Sequence, residues 1–127
     1  MNGNMLDTNV IIKYFSGDQS AKQLIDSYDN ISISAIVVGE LHYGAHKSAK
    51  KDSNLAMFSG FLSNFIIISV DENVSSIYGE IKDKLRSKGV NISENDMWIA
   101  ATAISQNSRL LTYDKHFSQI NGLNIES

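Results

Sequence analysis

The sequence contains no cysteine, no proline and no long apolar run, and its acidic residues only slightly outnumber its basic ones. Without cysteine, disulfide bonds, thiol nucleophiles and cysteine-ligated zinc sites are excluded. The net charge of −3 creates no global basic field, so any contact with nucleic-acid phosphate requires a local basic patch or bound metal. No stretch is apolar enough to span a bilayer and the N-terminus lacks a secretory pattern, so we expect a cytoplasmic protein with no membrane association.

The chain has the composition of a globular protein: 43% of its 127 residues are hydrophobic and 20% are charged, which predicts a single domain over 1–127. The predicted helices span 8–17, 20–28, 36–51, 54–65, 71–89 and 93–106, and the predicted strands span 31–35, 65–69, 109–113 and 123–125, after a short apolar segment at 4–6. The run FIIIS at 65–69 is typical of a strand buried on both faces. Strands that alternate with helices predict an α/β sandwich around a mainly parallel sheet.

Four acidic residues fall where such a fold collects functional groups, at strand ends and in the first turns of helices. Asp7 ends the first apolar run, Asp114 lies just beyond the last long predicted strand, and Asp96 opens the helix that leads into that strand. Glu40 lies about one turn into the helix that follows ISISA. Because active sites of parallel sheets form beyond the carboxyl ends of the strands, the four carboxylates can meet at one edge.

Each acid also has a purely structural interpretation. Asp7 can cap the first helix, Asp96 can complete a capping box with Ser93, and Asp114 can occupy a turn. Glu40 is the hardest to explain this way, because it shares a helical stripe with apolar residues. Only the joint pattern of the four favours a functional site.

A cluster of carboxylates constrains the chemistry that it can perform. Two carboxylates about 4 Å apart repel each other by roughly 4 kcal/mol at an effective dielectric constant near 20. A divalent cation relieves that repulsion, and all-oxygen ligands favour Mg²⁺ or Mn²⁺ over zinc. Such an ion activates water and stabilises charge on a phosphate, so an acidic protein can in this way attack a polyanion.

Four motifs in order make the chain resemble the PIN-domain family, and most closely its VapC-type toxins. They are MLDTNVII at 5–12, VVGELHYGA at 37–45, SENDMWIAATA at 93–103 and LLTYDKHF at 110–117. The resemblance covers essentially the whole chain. It implies a PIN-like three-layer α/β/α sandwich and a metal-dependent endoribonuclease that is the toxin of a toxin–antitoxin pair.

The resemblance also implies which residues act. Asp7, Glu40, Asp96 and Asp114 match the family's acidic positions, and by that match they are the predicted catalytic residues and the ligands of Mg²⁺ or Mn²⁺. The position of Asp114 is the least constant of the four in such proteins. Asp96 and Glu40 are the candidates for orienting or deprotonating the attacking water, and sequence does not decide between them.

Several neighbouring residues are predicted to support these acids. The hydroxyls of Thr8 and Thr112 stand close to them in the chain and can hydrogen-bond the carboxylates, although helix starts and β-propensity explain them equally well. Asn9 is either a site-organising amide or a local turn stabiliser. Gly44 shares the helical face of Glu40, where close packing or access to the site would justify a glycine.

The densest basic stretch follows directly and is the candidate for contact with the RNA backbone. It comprises His46, Lys47, Lys50 and Lys51. The alternative is a solvated helix end whose cations complement the helix dipole.

The resemblance implies three partners: an RNA substrate, a VapB-like antitoxin and a second copy of the chain. Transfer RNA is a common target among such proteins, with ribosomal and messenger RNA left open. The apolar helix NLAMFSGFLSNF at 54–65 can line an antitoxin groove or can simply pack in the core. Two other functions stay open, a housekeeping PIN nuclease of RNA processing and a catalytically silent PIN-like binding module.

Overall fold

In the part of the chain that the structure describes, five parallel strands form one sheet with the spatial order β3-β2-β1-β4-β5, so the first strand lies at its centre. The computed structural model describes residues 3–127. The strands are β1 (Gly3–Leu6), β2 (Ile31–Ser34), β3 (Ile66–Ile68), β4 (Ser108–Leu111) and β5 (Ile125–Glu126). The all-parallel pairing confirms the predicted sheet and directs the carboxyl ends of all five strands to the same edge.

Helices connect and flank the strands, as the predicted α/β sandwich requires. They are α1 (Thr8–Phe15), α2 (Gln19–Asp26), α3 (Ala35–His46), α4 (Lys51–Leu62), α5 (Glu72–Ser87) and α6 (Glu94–Ser105), followed by a 3₁₀ helix at Lys115–Gln119. In every α-helix except α4, an Asp or Ser side chain accepts a hydrogen bond from the first turn. Within residues 3–127, no helix combines the length and the apolar character that a bilayer crossing needs.

Among the helices, α6 contributes the most buried residues to the core, which it forms together with the central strands. Ile99 and Ala100 of α6 have no exposed surface, and neither do Met5 of β1 and Leu110 of β4. Small alanine side chains let this helix approach its neighbours closely, which explains why its sequence is apolar on almost every side. The first turn of α6 is thereby fixed at the edge where the strands end.

The helix predicted over 36–51 is in fact shorter, and this boundary prediction is wrong. The helix ends at His46, and Lys51 already belongs to α4. Between the two helices, the Ser48 hydroxyl accepts a hydrogen bond from the backbone N–H of Lys50 at 3.0 Å. A serine side chain that bonds the local backbone competes with helical hydrogen bonds, and this turn separates α3 from α4.

The strand predicted within 65–69 exists, but the prediction that both its faces are buried is wrong. β3 is an edge strand, and Ile66 and Ile67 are 70% and 40% exposed. An unbroken isoleucine run has high β-propensity at the edge of a sheet as well as at its centre, so composition alone does not give the position.

This difference predicts very unequal costs for two isoleucine truncations. Ile66→Ala is expected to change the free energy of unfolding by less than about 0.5 kcal/mol, because its side chain already lies in water. Ile33→Ala on β2, at a side chain with no exposed surface, is expected to cost about 2 to 5 kcal/mol. Urea unfolding of both variants measures the difference, and equal losses would contradict the edge position of β3.

Candidate active site

The site begins where the two central strands end side by side. Leu6 pairs with Leu111 in the β1–β4 ladder, and the backbone N–H of Asp7 donates to the Leu111 carbonyl at 3.0 Å. The next residues along the two strands, Asp7 and Thr112, are therefore neighbours. The Thr112 hydroxyl donates to Oδ2 of Asp7 at 2.7 Å.

Asp7 is a buried carboxylate, with only 5% of its surface exposed. Its Oδ1 accepts the backbone N–H of Thr8 at 2.8 Å, so the residue also caps α1, as its structural interpretation predicts. Burial is the largest effect and raises the pKa of Asp7 from 3.8 to about 6, against the hydrogen bonds from Thr112 and Thr8. The nearby charges of Asp96 and Glu40 raise this pKa further.

Glu40 reaches the site from the middle of α3 and is held at both of its oxygens. The Thr8 hydroxyl donates to Oε1 at 2.6 Å, and the Asn95 amide donates to Oε2 at 3.2 Å. These two bonds connect α3 to the first turns of α1 and α6. The carboxylate is thus fixed by neutral donors and forms no ion pair within residues 3–127.

Asp96 lies in the first turn of α6, where the Ser93 hydroxyl accepts its backbone N–H at 3.2 Å. The predicted cap is therefore present. Burial raises the pKa of the partly buried Asp96 side chain, the charges of Asp114 and Glu40 add to the rise, and the Ser93 hydrogen bond and His116 oppose it.

Asp114 follows β4 and caps the 3₁₀ helix. Its backbone N–H donates to the Thr112 hydroxyl at 3.0 Å, while its Oδ1 accepts the backbone N–H of His116 at 2.9 Å. The His116 ring lies 3.0 Å from the same oxygen. Asp114 is thus the only one of the four acids with an ionisable basic partner within the part of the chain that the structure describes.

All four acids line one open cavity of about 430 Å³, here called the acidic cleft, so the predicted convergence of their side chains is present. Its remaining lining consists of Thr8, Asn9, Ile12 and Lys13. Whether the acids act as catalytic residues and metal ligands stays a prediction.

The donors of the acidic cleft suit a hard divalent cation. They are carboxylate and hydroxyl oxygens, and Lys13 is the single lysine on the cleft wall. Within residues 3–127, no three acidic or histidine side chains already stand as a complete ligand set for one ion. Mg²⁺ is commonly held through one or two carboxylates while water completes its octahedron, so these donors fit Mg²⁺ without a closed protein cage.

Two of the three supporting residues hydrogen-bond an acid directly, and the third acts through one of them. Thr8 bonds Glu40, and Thr112 bonds Asp7. Asn9 donates to the Thr112 hydroxyl at 3.3 Å and accepts the backbone N–H of Tyr113 at 3.2 Å, so it organises the acids through Thr112.

Sequence reasoning missed Asn95 and Lys13. The amide of Asn95 holds Glu40, and its only sequence signal is its place directly before Asp96 in the motif SENDMW. Lys13 faces the cleft from α1, where the helical pattern alone does not distinguish a cleft lysine from a solvent-exposed one.

A second open cavity, here called the α3 cleft, adjoins the acidic cleft and has Glu40 in common with it. Its volume is about 620 Å³, and its lining includes Gly39, Glu40, Tyr43, Gly44, Lys47 and Asn95. A Cβ atom placed on Gly44 would meet no atom within 4 Å, so close packing is not the reason for this glycine, and access remains.

The predicted basic stretch divides between the cleft and the solvent. Lys47 lines the α3 cleft, whereas His46, Lys50 and Lys51 are exposed and line neither cleft. His46 is the basic residue in the last turn of α3, where it complements the helix dipole as the alternative interpretation expects. Contact with RNA stays a prediction for all four residues.

Known proteins match this chain over nearly its whole length. Residues 5–123 match the family described as PIN domain. Ribonuclease VapC2 of Rickettsia felis is 37% identical, covering 97% of this chain and 96% of its own. The tRNA(fMet)-specific endonuclease VapC of Salmonella typhimurium is 32% identical, with 96% of this chain and 95% of its own covered.

Solved structures of such proteins superpose closely on this fold. The structure of VapBC2 from Rickettsia felis bound to a DNA fragment from their promoter matches with a TM-score of 0.87 at 35% identity, covering 97% of this chain and 96% of that chain. DNA-bound VapBC from Salmonella typhimurium matches with a TM-score of 0.89 at 31% identity, covering 99% and 98%.

Proposed function

The chain belongs to the PIN-domain family, and from this premise we propose that it is a Mg²⁺- or Mn²⁺-dependent endoribonuclease and the toxin of a toxin–antitoxin pair. The convergence of four carboxylates in one cleft is the observation that carries the proposal. Relatives named as ribonucleases support the reaction, and one of them, named for tRNA(fMet), makes tRNA the first substrate class to test.

The proposed chemistry is hydrolysis of an RNA phosphodiester. Asp7 and Asp96 are the proposed principal metal ligands. Glu40 and Asp114 contribute further negative charge to the cleft. When bound, the cation would lower the pKa of water and stabilise negative charge on the phosphate.

The chain's own residues hold this arrangement ready. Thr112 and the backbone N–H of Thr8 fix both oxygens of Asp7, and Asn95 helps to fix Glu40. Burial, with neighbouring acids, raises the pKa of Asp96 in the metal-free protein, and a bound cation would lower it again.

The proposal includes a VapB-like antitoxin as partner, because the matching Rickettsia and Salmonella structures are VapBC complexes. The α4 helix offers a surface for it. Of its apolar residues only Phe58 is buried, while Met57 is 39% exposed. Phe61 of α4 packs 5.2 Å from Phe15 of α1, the helix that also contributes Ile12 to the acidic cleft.

Homodimer formation is also part of the proposal. Ile66, Ile67 and Val70 supply exposed apolar surface at the free edge of the sheet. Sedimentation at micromolar concentration is expected to give twice the chain mass.

The test incubates the purified chain with a tRNA mixture and with total RNA, first with Mg²⁺ or Mn²⁺ and then with excess EDTA. Cleavage is expected with either ion, with loss on chelation and return when the metal is restored. Growth arrest on expression, relieved by a small co-expressed antitoxin, would separate the toxin from a housekeeping nuclease. RNA binding without any cleavage would instead support a silent binding module.

A further inference from the structure

The α3 cleft has no assigned occupant. Four carboxylates line the acidic cleft, whereas the α3 cleft has one carboxylate together with an aromatic ring and a lysine. Glu40 lines both cavities, so an RNA bound at the acids would have the α3 cleft beside it. We propose that the α3 cleft binds one nucleotide of a single-stranded RNA, next to the phosphodiester that the acids attack. This proposal rests on the ribonuclease function proposed above.

The first support is an aromatic ring that the fold leaves in solvent. Tyr43 is 67% exposed and is the only aromatic residue among the exposed large hydrophobic side chains of residues 3–127. It lies one turn after Glu40 on the same face of α3. Aromatic side chains in this setting stack on bases of single strands with little dependence on sequence.

The second support is a cation placed beside that ring. The ammonium of Lys47, the residue directly after the end of α3, lies 4.9 Å from the centroid of the Tyr43 ring. The lysine occupies one face of the ring, which leaves the other face for a base, and its charge is available to a phosphate. The acidic cleft repels an RNA backbone, so a positive charge on its flank gives the polyanion a place to bind.

The third support is open space between these groups. Gly39 and Gly44 both line the cleft, and a Cβ atom on either would meet no atom within 4 Å. Glycine destabilises a helix interior, and here no neighbouring residue fills the space that a side chain would occupy. The exposed Asn95 also lines the cleft; its amide nitrogen donates to Glu40, and its carbonyl oxygen can accept a hydrogen bond from the edge of a base.

The experiment measures RNA binding in the Asp7→Asn protein, so that cleavage does not consume the probe. The probe is a fluorescein-labelled RNA pentamer of mixed sequence in Mg²⁺, followed by pentamers with 2-aminopurine at each position in turn. Tyr43→Ala is expected to weaken binding by about 5- to 150-fold, the range of one base–aromatic stack. It should also abolish the quenching of 2-aminopurine at one position, while Tyr43→Phe retains both.

Two further variants test the charge and the space. Lys47→Ala is expected to lower the slope of log affinity against log salt by about 0.7, the effect of one phosphate contact on a single strand. Lys84→Ala, which removes a lysine from a separate cavity beside α5, should leave that slope unchanged. Gly44→Leu is expected to block binding while the protein stays folded, because its side chain projects into open space.

Failure of this inference is distinguishable from failure of the ribonuclease proposal. If the chain with its acids intact cleaves RNA but Tyr43→Ala leaves pentamer affinity, quenching and KM unchanged, the subsite is wrong and the nuclease stands. If Tyr43→Ala changes only the sedimenting mass, the ring belongs to an interface between copies and the subsite is again wrong. If the intact chain cleaves no RNA in any metal, the nuclease proposal itself fails.

Discussion

Asp7→Asn is expected to lower RNA cleavage by at least about 100-fold and, at the same time, to stabilise the metal-free protein. The loss of activity follows from removing a negative ligand at the point where β1 delivers it to the acidic cleft. A metal ion supplies several kcal/mol of charge stabilisation, and each 1.36 kcal/mol is tenfold in rate. Asparagine keeps the shape of the side chain but not its charge.

The gain in stability follows from the pKa of Asp7. The folded protein raises this pKa from 3.8 to about 6, so the folded state binds the proton more tightly than the unfolded chain does. The free energy of unfolding therefore falls as pH rises from about 4 to about 6, by about 3 kcal/mol in total, and stays lower above that range. Asn carries no charge and removes this penalty at pH 7.

Part of the gain is lost again, because an amide cannot accept from both the Thr8 N–H and the Thr112 hydroxyl as the carboxylate does. One lost hydrogen bond costs about 1 kcal/mol, which leaves a net gain of about 1 to 2 kcal/mol at pH 7 and none below pH 4. Urea unfolding in EDTA at both pH values measures the effect.

The matched control is Asp18→Asn, at another N-cap carboxylate. Asp18 accepts the backbone N–H of Ala21 at 3.1 Å and does not line the acidic cleft. Asparagine is an equally good N-cap, so cleavage and stability should stay near the parent values at both pH values. A gain at pH 4 as large as at pH 7 for Asp7→Asn would contradict the charge explanation.

The central part of the site was accessible from the sequence because it follows from strand direction. Asp7 and Asp114 stand just past apolar runs, and the rule that parallel strands end together brings them to one edge. The apolar stripe around Asp96 marks the most buried helix, whose first turn has little freedom. At Asp7, Asp96 and Asp114, the local sequence pattern therefore predicts where the residue lies in the fold.

The remaining features depend on contacts between distant segments, which no local pattern encodes. Asn95 holds Glu40 across 55 positions of the chain, and nothing in the letters of α6 indicates that contact. The isoleucines of β3 suit an edge as well as a centre, so only the order of the sheet reveals their exposure. The break after His46 depends on the Ser48 hydroxyl, which bonds the backbone. Helical periodicity does not predict that bond.

Thr112→Val is the other substitution with a large expected effect, because one buried hydroxyl connects three segments. It donates to Asp7 at 2.7 Å, accepts from the Asn9 amide at 3.3 Å and accepts from the backbone N–H of Asp114 at 3.0 Å. A hydroxyl has one donor and two acceptor positions, so all three are used. The side chain is 2% exposed, and water cannot easily replace it.

Valine has nearly the same shape but leaves all three partners without this contact. The largest cost is an unsatisfied oxygen on the buried Asp7 carboxylate, so we expect a loss of about 2 to 4 kcal/mol in the free energy of unfolding at pH 7. Because the Thr112 hydrogen bond lowers the pKa of Asp7, its removal raises that pKa further and weakens metal binding. Residues that orient a ligand in this way typically change metal affinity by about 10- to 100-fold.

Thr102→Val supplies the same chemical change at a fully buried position away from the acids. Its hydroxyl donates to the Trp98 carbonyl within α6 at 2.8 Å, so its loss should cost about 1 kcal/mol and leave Mn²⁺ affinity unchanged in calorimetry. Thr112→Ser keeps the hydroxyl and should restore most of the affinity that valine removes. Equal stability losses in both valine variants, with Mn²⁺ affinity intact in each, would mean that Thr112 fills space and does not position Asp7.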